Sequence, residues 1–246
     1  MMIKDVRYIP ISALEGDNVV HRSEKMPWYL DAPLLYTLET IHIASDNNMV
    51  DGRFPVQTVL RPQSEEHHDY RGYAGTVAGG IFRPGDEVRL LPSGFESIVK
   101  SINQYDEDVK EAFDGISVAI TLEDDIYLSR GDMIVHRNNL PKKDQRLSAM
   151  ICWFNEKPAR PRAKYILKHT SNEPMAMITE VEYKMNIETL ERVTDDPEIR
   201  MNDICKVKIR TTAPIMMDKY SRNRKTGSFI LIDSATNETV AGGMLR

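Results

Sequence analysis

Residues 71–88 read RGYAGTVAGGIFRPGDEV, and this stretch decides the fold of the chain. Its glycines alternate with β-branched and aromatic residues, a composition typical of short strands that bend sharply. Pro84-Gly85-Asp86 then supplies a turn before Val88 and Leu90, which share one face of the next strand. The stretch therefore predicts short strands joined by tight turns.

The same texture continues on both sides of this stretch. From Pro55 to about Val135, short apolar alternations are separated by turn sequences such as Pro92-Ser93-Gly94 and Arg130-Gly131-Asp132. The inward positions predicted on the flanking strands are Val56, Thr58, Leu60, Val118, Ile120 and Leu122. Strands this short, at this spacing, predict a sandwich or a barrel with glycines at its corners.

A second β block is predicted after a polar connector that contains proline, Asn138–Arg146. Two of its strands show the alternation of a half-buried strand. Their predicted inward residues are Leu147, Ala149, Ile151 and Trp153 in one strand, and Cys205, Val207 and Ile209 in the other. Gly227–Asp233 is apolar on both faces, which predicts a strand with neighbours on both sides.

The first 48 residues differ from the rest. Tyr8–Val20 reads YIPISALEGDNVV, an apolar run predicted to form a strand, followed by Ser12-Ala13-Leu14 and a turn. A helix is predicted further on, with Asp31 as its N-cap and Pro33 in its first turn. The predicted apolar side of this helix consists of Leu34, Leu35 and Leu38.

Composition narrows the class of protein. The 246 residues are 28% charged and 41% hydrophobic, as in ordinary globular proteins with one large core or two modest ones. A formal net charge of −5 argues against a dedicated nucleic-acid binder. Cys152 and Cys205 are far apart in sequence, and no segment reaches the length of a membrane span. We expect a cytoplasmic protein with no membrane partner and no nucleic-acid partner.

Several segments resemble the translation-factor GTPases of the elongation factor Tu superfamily. Ser12-Ala13-Leu14, after an apolar run, resembles the last guanine-contacting motif of those proteins. Residues 71–88 resemble their second-domain signature, Ser129–Asp132 resembles a later turn of that domain, and residues 227–245 (GSFILIDSATNETVAGGML) resemble the end of the third domain. Within the superfamily, these stretches are most similar to the large, GTP-binding subunits of bacterial sulfate adenylyltransferase.

The resemblance implies an all-β chain of two consecutive β-barrels, of the translation-factor domain 2 and domain 3 type, after a short α/β remnant of a GTPase domain. The implied bounds are 1–48 for the remnant, 49–141 for the first barrel and 142–246 for the second. The implied partners are a small ATP-sulfurylase subunit, in a heterodimer, and a GTPase domain in cis. Such a heterodimer makes adenosine 5′-phosphosulfate from ATP and sulfate, driven by GTP hydrolysis, with GTP and Mg²⁺ on the large subunit.

The chain departs from that family in one decisive respect. A P-loop, G-x-x-x-x-G-K-[ST], occurs nowhere in it, and the Asn-Lys-x-Asp base-reading motif is also absent. Gripping phosphates requires that glycine loop and its lysine. We therefore interpret the chain as the C-terminal part of such a subunit, with Ser12, Ala13 and Leu14 as a partial guanine-binding loop. No catalytic residue, no bound cofactor and no GTP hydrolysis by the chain alone are expected.

Two basic clusters could contact a partner. One contains Arg160, Arg162, Lys164 and Lys168, and the other contains Lys219, Arg222, Arg224 and Lys225. Charge runs usually form solvated faces, but arginine forks also suit carboxylates and phosphates. The candidate contacts to the small subunit are Arg160, Arg162, Lys164, Arg222 and Arg224. The rival functions are a translation-factor-type barrel protein that binds RNA and a scaffold without GTPase activity.

Three further patterns are weaker. Ser45-Asp46-Asn47, Ser97-x-x-Lys100 and Lys225-Thr226-Gly227 imitate motifs of penicillin-binding proteins, but their order is wrong and Ser97 lies in a predicted strand. Glu65–Asp69 contains two adjacent histidines, which diverge on an extended loop and lack the i, i+4 spacing of a helical metal site. We assign no catalytic site and no metal site to these patterns.

Overall fold

The computed structural model describes residues 6–41, 48–61, 70–105, 107–160 and 162–246. The chain forms two compact units, Met1–Asp46 and Asn47–Arg246. Two weak sequence patterns, Ser45-Asp46-Asn47 and Glu65–Asp69, lie outside the described residues. In the described part of the chain, no helix has the length and apolar character needed to cross a membrane.

The first unit contains one helix, α1 (Leu34–Thr40), in its described residues. Pro33 is its N-cap, and no side chain caps the helix. The N–H groups of Leu34 and Leu35 donate to the carbonyls of Asn18 and Val19 instead, so the prediction that Asp31 caps the helix was wrong. The predicted strand before Ser12 is also absent from residues 6–41, where only an isolated bridge joins Ser12 to Asp17. A strand needs a hydrogen-bonding neighbour, and these residues provide none.

The first barrel lies in the second unit and consists of antiparallel strands. Its strands are β1 (Arg53–Leu60), β2 (Gly72–Thr76), β3 (Ile81–Phe82), β4 (Glu87–Leu91), β5 (Glu96–Gln104), β6 (Glu107–Asp108), β7 (Ala112–Phe113), β8 (Ser117–Leu122) and β9 (Met133–His136). The main sheet runs β4-β9-β1-β2-β8-β5, and pairing of β4 with β5 closes it. Strand β6 extends β5, while β3 and β7 pair with each other.

A β-bulge in β1 changes which residues face the core. The register with β2 shifts between Val56 and Thr58. Val56 is fully buried, whereas Thr58 and Leu60 are exposed and Val59 packs on the core instead. The predicted inward positions Thr58 and Leu60 were therefore wrong, because a bulge reverses the alternation.

The second barrel is built in the same way. Its strands are β10 (Lys142–Trp153), β11 (Lys164–Lys168), β12 (Met175–Met185), β13 (Arg192–Val193), β14 (Ile204–Met217), β15 (Ser228–Asp233) and β16 (Thr239–Leu245). The order is β11-β15-β16-β10-β14-β12, and β11 pairs with β12 to close the sheet. Strand β15 lies between β11 and β16, which confirms the prediction for Gly227–Asp233.

The alternation predicted for this barrel is confirmed. Leu147, Ala149, Ile151 and Trp153 are buried with Cys205, Val207 and Ile209 in one core. The predicted connector is shorter than Asn138–Arg146, because Lys142 already pairs with Met217 as part of β10. The polar residues from Lys142 onward belong to β10, where this strand pairs with the C-terminal end of β14.

Candidate functional site

The Ser-Ala-Leu segment forms a tight loop closed on itself. Gly16 N–H donates to the Ser12 carbonyl at 2.8 Å, and Ser12 N–H donates to the Asp17 carbonyl at 3.1 Å. Buried Asn18 fixes the start of the loop, because its Nδ2 donates to the Pro10 carbonyl at 2.9 Å. Leu14 is 97% exposed at the tip. The geometry presents this apolar tip outward, and its predicted guanine contact stays a prediction.

A buried, fully hydrogen-bonded polar site lies where the two barrels meet within the second unit. Arg53 at the start of β1 is fully buried and forms a two-pronged ion pair with Asp218, which follows β14. Its Nε lies 2.8 Å from Asp218 Oδ2 and its Nη2 lies 3.0 Å from Oδ1. The remaining guanidinium N–H groups donate to Gly52 and Asn139. All five donors of this arginine are thus satisfied, as a buried charge requires.

A second ion pair joins the barrels beside the first. Asp51, before β1, accepts from Arg222 Nε at 2.6 Å and from Arg222 Nη2 at 2.5 Å. Asn48 and Asn139 donate to the same carboxylate at 2.6 Å and 2.7 Å. Burial alone would raise the pKa of Asp51, but the hydrogen bonds from Arg222, Asn48 and Asn139 hold it well below its usual range. The carboxylate therefore stays charged in the folded protein.

One loop of the second barrel supplies most of these contacts. This latch loop, residues 218–227, folds around Asn223, whose Oδ1 accepts from the N–H groups of Lys225 and Thr226. Asn223 Nδ2 donates to the Ala78 carbonyl of the first barrel at 2.7 Å. Lys225 Nζ lies 2.9 Å from Asp114 Oδ1, again across the two barrels. The latch loop thus contacts the first barrel at four side chains.

His169 supports the latch loop from within the second barrel. Its Nε2 lies 2.7 Å from the Thr226 carbonyl, so this ring nitrogen carries the proton and donates it. Thr226 Oγ1 in turn donates to Asp218 at 2.7 Å. Burial lowers the pKa of His169, although the Thr226 bond and Asp218 act in the opposite direction. A neutral imidazole therefore fixes the loop that holds the ion pair.

Two adjacent glycines of the 71–88 stretch allow this close approach. A Cβ on Gly79 would lie 2.7 Å from both Asn223 Nδ2 and the Asp51 carbonyl oxygen. Gly80 has φ +72°, and a Cβ there would lie 2.5 Å from the Gly52 Cα. The stretch that decides the fold therefore also carries the surface on which the latch loop rests.

Apolar contact completes the joint between the barrels. Met133 and Val135 of β9 cluster with Met216 of β14, and Leu91 packs against them. These residues exclude water beside the ion pairs, so charge and packing both join the two barrels. Within the described residues, no group of His, Cys, Asp or Glu side chains is arranged to hold a metal ion.

The predicted partner-contact residues have different surroundings. Arg222 binds Asp51, so much of its charge is used inside the chain, although its side chain is 60% exposed. Arg160 lies 3.0 Å from Asp233, whereas Arg162 and Lys164 are exposed. Arg224 belongs to the latch loop. Contact of these residues with another subunit stays a prediction.

Sequence reasoning missed the centre of this site. Arg53 and Asp218 are 165 residues apart, and neither belongs to a motif or a charge cluster. One local signal was available, an arginine at the first position of a strand whose next residues, Phe54 and Val56, are apolar. A charged residue inside such a run requires a buried partner.

The comparisons with known proteins agree with this architecture. The sequence profile of the family described as GTP-eEF1A C-terminal domain-like matches residues 146–246. The chain is 46% identical over 244 residues to the bifunctional enzyme CysN/CysC of Mycobacterium tuberculosis, covering 99% of this chain and 40% of that protein. It is 47% identical over 243 residues to sulfate adenylyltransferase subunit 1 of Bacteroides fragilis, covering 99% of this chain and 50% of that protein. The chain thus spans half or less of the length of these relatives.

Solved structures share the fold. The structure of Sup35 complexed with GDP matches with a TM-score of 0.72 at 19% identity, covering 98% of this chain and 59% of that one. The structure of Sup35 complexed with GMPPNP matches with a TM-score of 0.71. At such low identity these matches establish the arrangement of strands alone, which confirms the predicted all-β fold with two barrels.

Proposed function

The chain belongs to the family of sulfate adenylyltransferase large subunits, in the translation-factor GTPase superfamily, and we propose that its two barrels act together as one rigid coupling element. In this proposal they transmit the nucleotide state of a GTPase domain to a small ATP-sulfurylase subunit. The coupled reaction is the synthesis of adenosine 5′-phosphosulfate from ATP and sulfate, in the cytoplasm. The relatives named above support the reaction class.

One observation carries the mechanical part of the proposal, the buried joint between the barrels. An element that passes a rotation from one end to the other must not bend in the middle. Arg53–Asp218 and Asp51–Arg222 are two-pronged, charge-assisted pairs, a geometry that fixes orientation as well as distance. Hinging at this joint would separate the buried charges of Arg53 and Asp218, which lose their hydrogen-bond partners when they move apart.

A second observation supports a GTPase domain as neighbour of residues 6–41. Large apolar side chains of this region are widely exposed, among them Leu14 at 97%, Tyr8 at 86%, Leu30 at 73% and Trp28 at 69%. Soluble surfaces rarely present so many such side chains together. We propose that a GTPase domain covers them in cis and that residues 1–48 complete that domain, with 49–141 and 142–246 as the two barrels.

GTP and Mg²⁺ would be held by that domain, which would supply phosphoryl transfer to water when both are bound. Of the 246 residues, only Ser12, Ala13 and Leu14 fit a guanine site, and the sequence contains no P-loop. This chain alone is therefore proposed not to hydrolyse GTP. Its contribution would be to position the partner through the barrels.

The experiment is complementation in trans. The part of the Bacteroides fragilis relative that this chain does not match is mixed with the small subunit, ATP, sulfate and GTP, with and without this chain. We expect GTP-dependent formation of adenosine 5′-phosphosulfate to require the chain and to be lost with the Arg53→Ala/Asp218→Ala variant. Exposed Lys110→Ala on the first barrel is the control. Equal product formation with and without the chain would refute the proposal. Tight, salt-sensitive binding of tRNA to the chain would favour the RNA-binding rival.

A further inference from the structure

An apolar strip lies on the outer wall of the second barrel. The strand registers place Met150 of β10 beside Met244 of β16, and Cys152 beside Ile204 of β14, which pairs with Met185 of β12. These positions alternate with the core residues of the same strands, so they face outward. Met150 is only 5% exposed and Met244 is 39% exposed. Lys206 lies between Met150 and Tyr183 in one row, and the Tyr183 hydroxyl lies 3.9 Å from the Met150 sulfur, so Met150 is covered. The partly exposed apolar residues of the strip are Met244, Cys152, Ile204 and Met185.

Cations continue along β14 beyond Ile204. Lys206, Lys208 and Arg210 face outward at every second residue of β14. Lys206 lies 2.8 Å from Glu182, and Lys208 lies 2.8 Å from Glu180, so two of these charges are neutralised on the barrel itself. Arg210 has no such partner in the described part of the chain.

Arg210 instead faces another arginine. Arg146 of β10 lies directly opposite it in the antiparallel register, and both side chains are exposed. Like charges at directly opposed positions destabilise a sheet. The same row continues through Met177 of β12 to Lys164 of β11, which is also exposed. Three cations therefore share one row, and within the described ranges none of them forms an ion pair.

We infer that this outer wall, defined by Cys152, Met185, Ile204, Met244, Arg146 and Arg210, docks a protein whose contact surface has an apolar ridge bordered by carboxylates. Charge complementarity argues for this occupant, because carboxylates against Arg146 and Arg210 would remove the repulsion between them. Methionine side chains are flexible and polarisable, so they adapt to an apolar ridge. The inference rests on the proposed function, in which this partner is the small subunit.

A nucleic acid fits the wall less well than an acidic protein surface. Phosphates would engage the arginines, but they would leave Met244 and Ile204 without apolar contact. The methionines therefore distinguish the two occupants, and the experiment varies both halves of the wall.

The experiment measures the dissociation constant of the whole chain for the purified small subunit by calorimetry. We expect Arg146→Glu/Arg210→Glu to weaken binding about 100-fold and Met244→Asp to weaken it about 10-fold, as for charged and apolar contacts at the centre of an interface. Arg146→Lys/Arg210→Lys keeps the charge but loses the arginine forks, so it should bind more weakly than the native chain and more tightly than the glutamate variant. The matched controls on the first barrel are Lys110→Glu and the 62% exposed Phe95→Asp, which should leave binding unchanged.

Each outcome decides a different point. Native binding together with full-strength binding of both wall variants would overturn the inference and leave the proposed function standing. No binding by the native chain would overturn the proposed partner and the inference with it. A labelled tRNA, titrated in parallel, would overturn the inference if it bound tightly, lost affinity with Arg146→Glu/Arg210→Glu and ignored Met244→Asp. Thermal unfolding of every variant must match the native chain.

Discussion

Residues 6–41 and the two barrels differ in how much of their apolar surface is buried. The barrels close their sheets and bury two continuous cores, whereas the first region leaves most of its large apolar side chains exposed. The barrels also bury charge, at Arg53 and Asp51, and match each charge with a partner. The barrels supply the partners of their own buried charges, whereas a region that exposes leucine and tryptophan is suited to be covered by another surface.

The largest effect is expected at the joint between the barrels. Replacing Arg53 by alanine leaves Asp218 buried without its partner, which should lower the free energy of unfolding by about 3–5 kcal/mol. Urea unfolding followed by circular dichroism measures the loss. An apolar double variant, Arg53→Met/Asp218→Leu, should recover part of it, because it leaves no unpaired charge but removes the partners of Gly52, Asn139 and Thr226. Equal stability of Arg53→Ala and the native chain would contradict the account.

A smaller effect is expected where the latch loop touches the first barrel. Gly79→Ala places a methyl group 2.7 Å from Asn223 Nδ2 and from the Asp51 carbonyl oxygen. Forcing a carbon into packed space costs about 1–3 kcal/mol, which urea unfolding would detect. Because the clash is at the joint, trypsin should also cut the latch loop faster in this variant. Native stability and native cleavage together would show that the loop does not depend on this contact.

The pH dependence of the joint should be smaller still. Burial lowers the pKa of His169, so at acidic pH the unfolded chain takes up a proton that the folded chain resists. The contribution of His169 to the free energy of unfolding is fully present above about pH 6.5. It falls as the pH is lowered, by at most about 1.4 kcal/mol per pH unit. His169→Gln keeps a donor for the Thr226 carbonyl but cannot titrate. Its unfolding free energy should decline less between pH 7 and pH 5 than that of the native chain, and an equal decline would contradict the assignment.

The smallest effect on stability is expected in the first region. Leu14→Ser changes a side chain that is 97% exposed and should alter the unfolding free energy by less than about 0.5 kcal/mol. The same variant should lower the affinity for a GTPase domain supplied in trans, because the proposed cover acts on this surface. A clear loss of stability in the isolated chain would show that Leu14 packs within the chain, and the contrast with the barrels would disappear.

The sequence was informative where structure is local and repetitive. The alternation of Cys205, Val207 and Ile209 predicted one face of β14 correctly, because a strand repeats every two residues. The same reasoning failed at Thr58 and Leu60, since one extra residue in a bulge reverses the phase and leaves no clear mark in the sequence. For α1 it failed because Asp31 precedes the cap position that Pro33 occupies.

The joint between the barrels could not be predicted for a different reason. Arg222 and Lys225 were recognised as part of a basic cluster, but their partners Asp51 and Asp114 are more than a hundred positions away in sequence. Nothing in a charge run indicates whether its partner belongs to the same chain or to another one. The outer wall of the second barrel shows the converse case, because Arg146 and Arg210 become neighbours only through the strand register.

Scanning calorimetry of the native chain and of the Asp218→Ala variant tests the central claim most directly. If the buried Arg53–Asp218 pair makes the two barrels one mechanical element, the native barrels unfold together in a single transition with equal calorimetric and van't Hoff enthalpies. The variant should then show two separate barrel transitions. Two separate barrel transitions in the native chain, or one unchanged barrel transition in the variant, would contradict the account, because the barrels would then be independent or joined by something other than this pair.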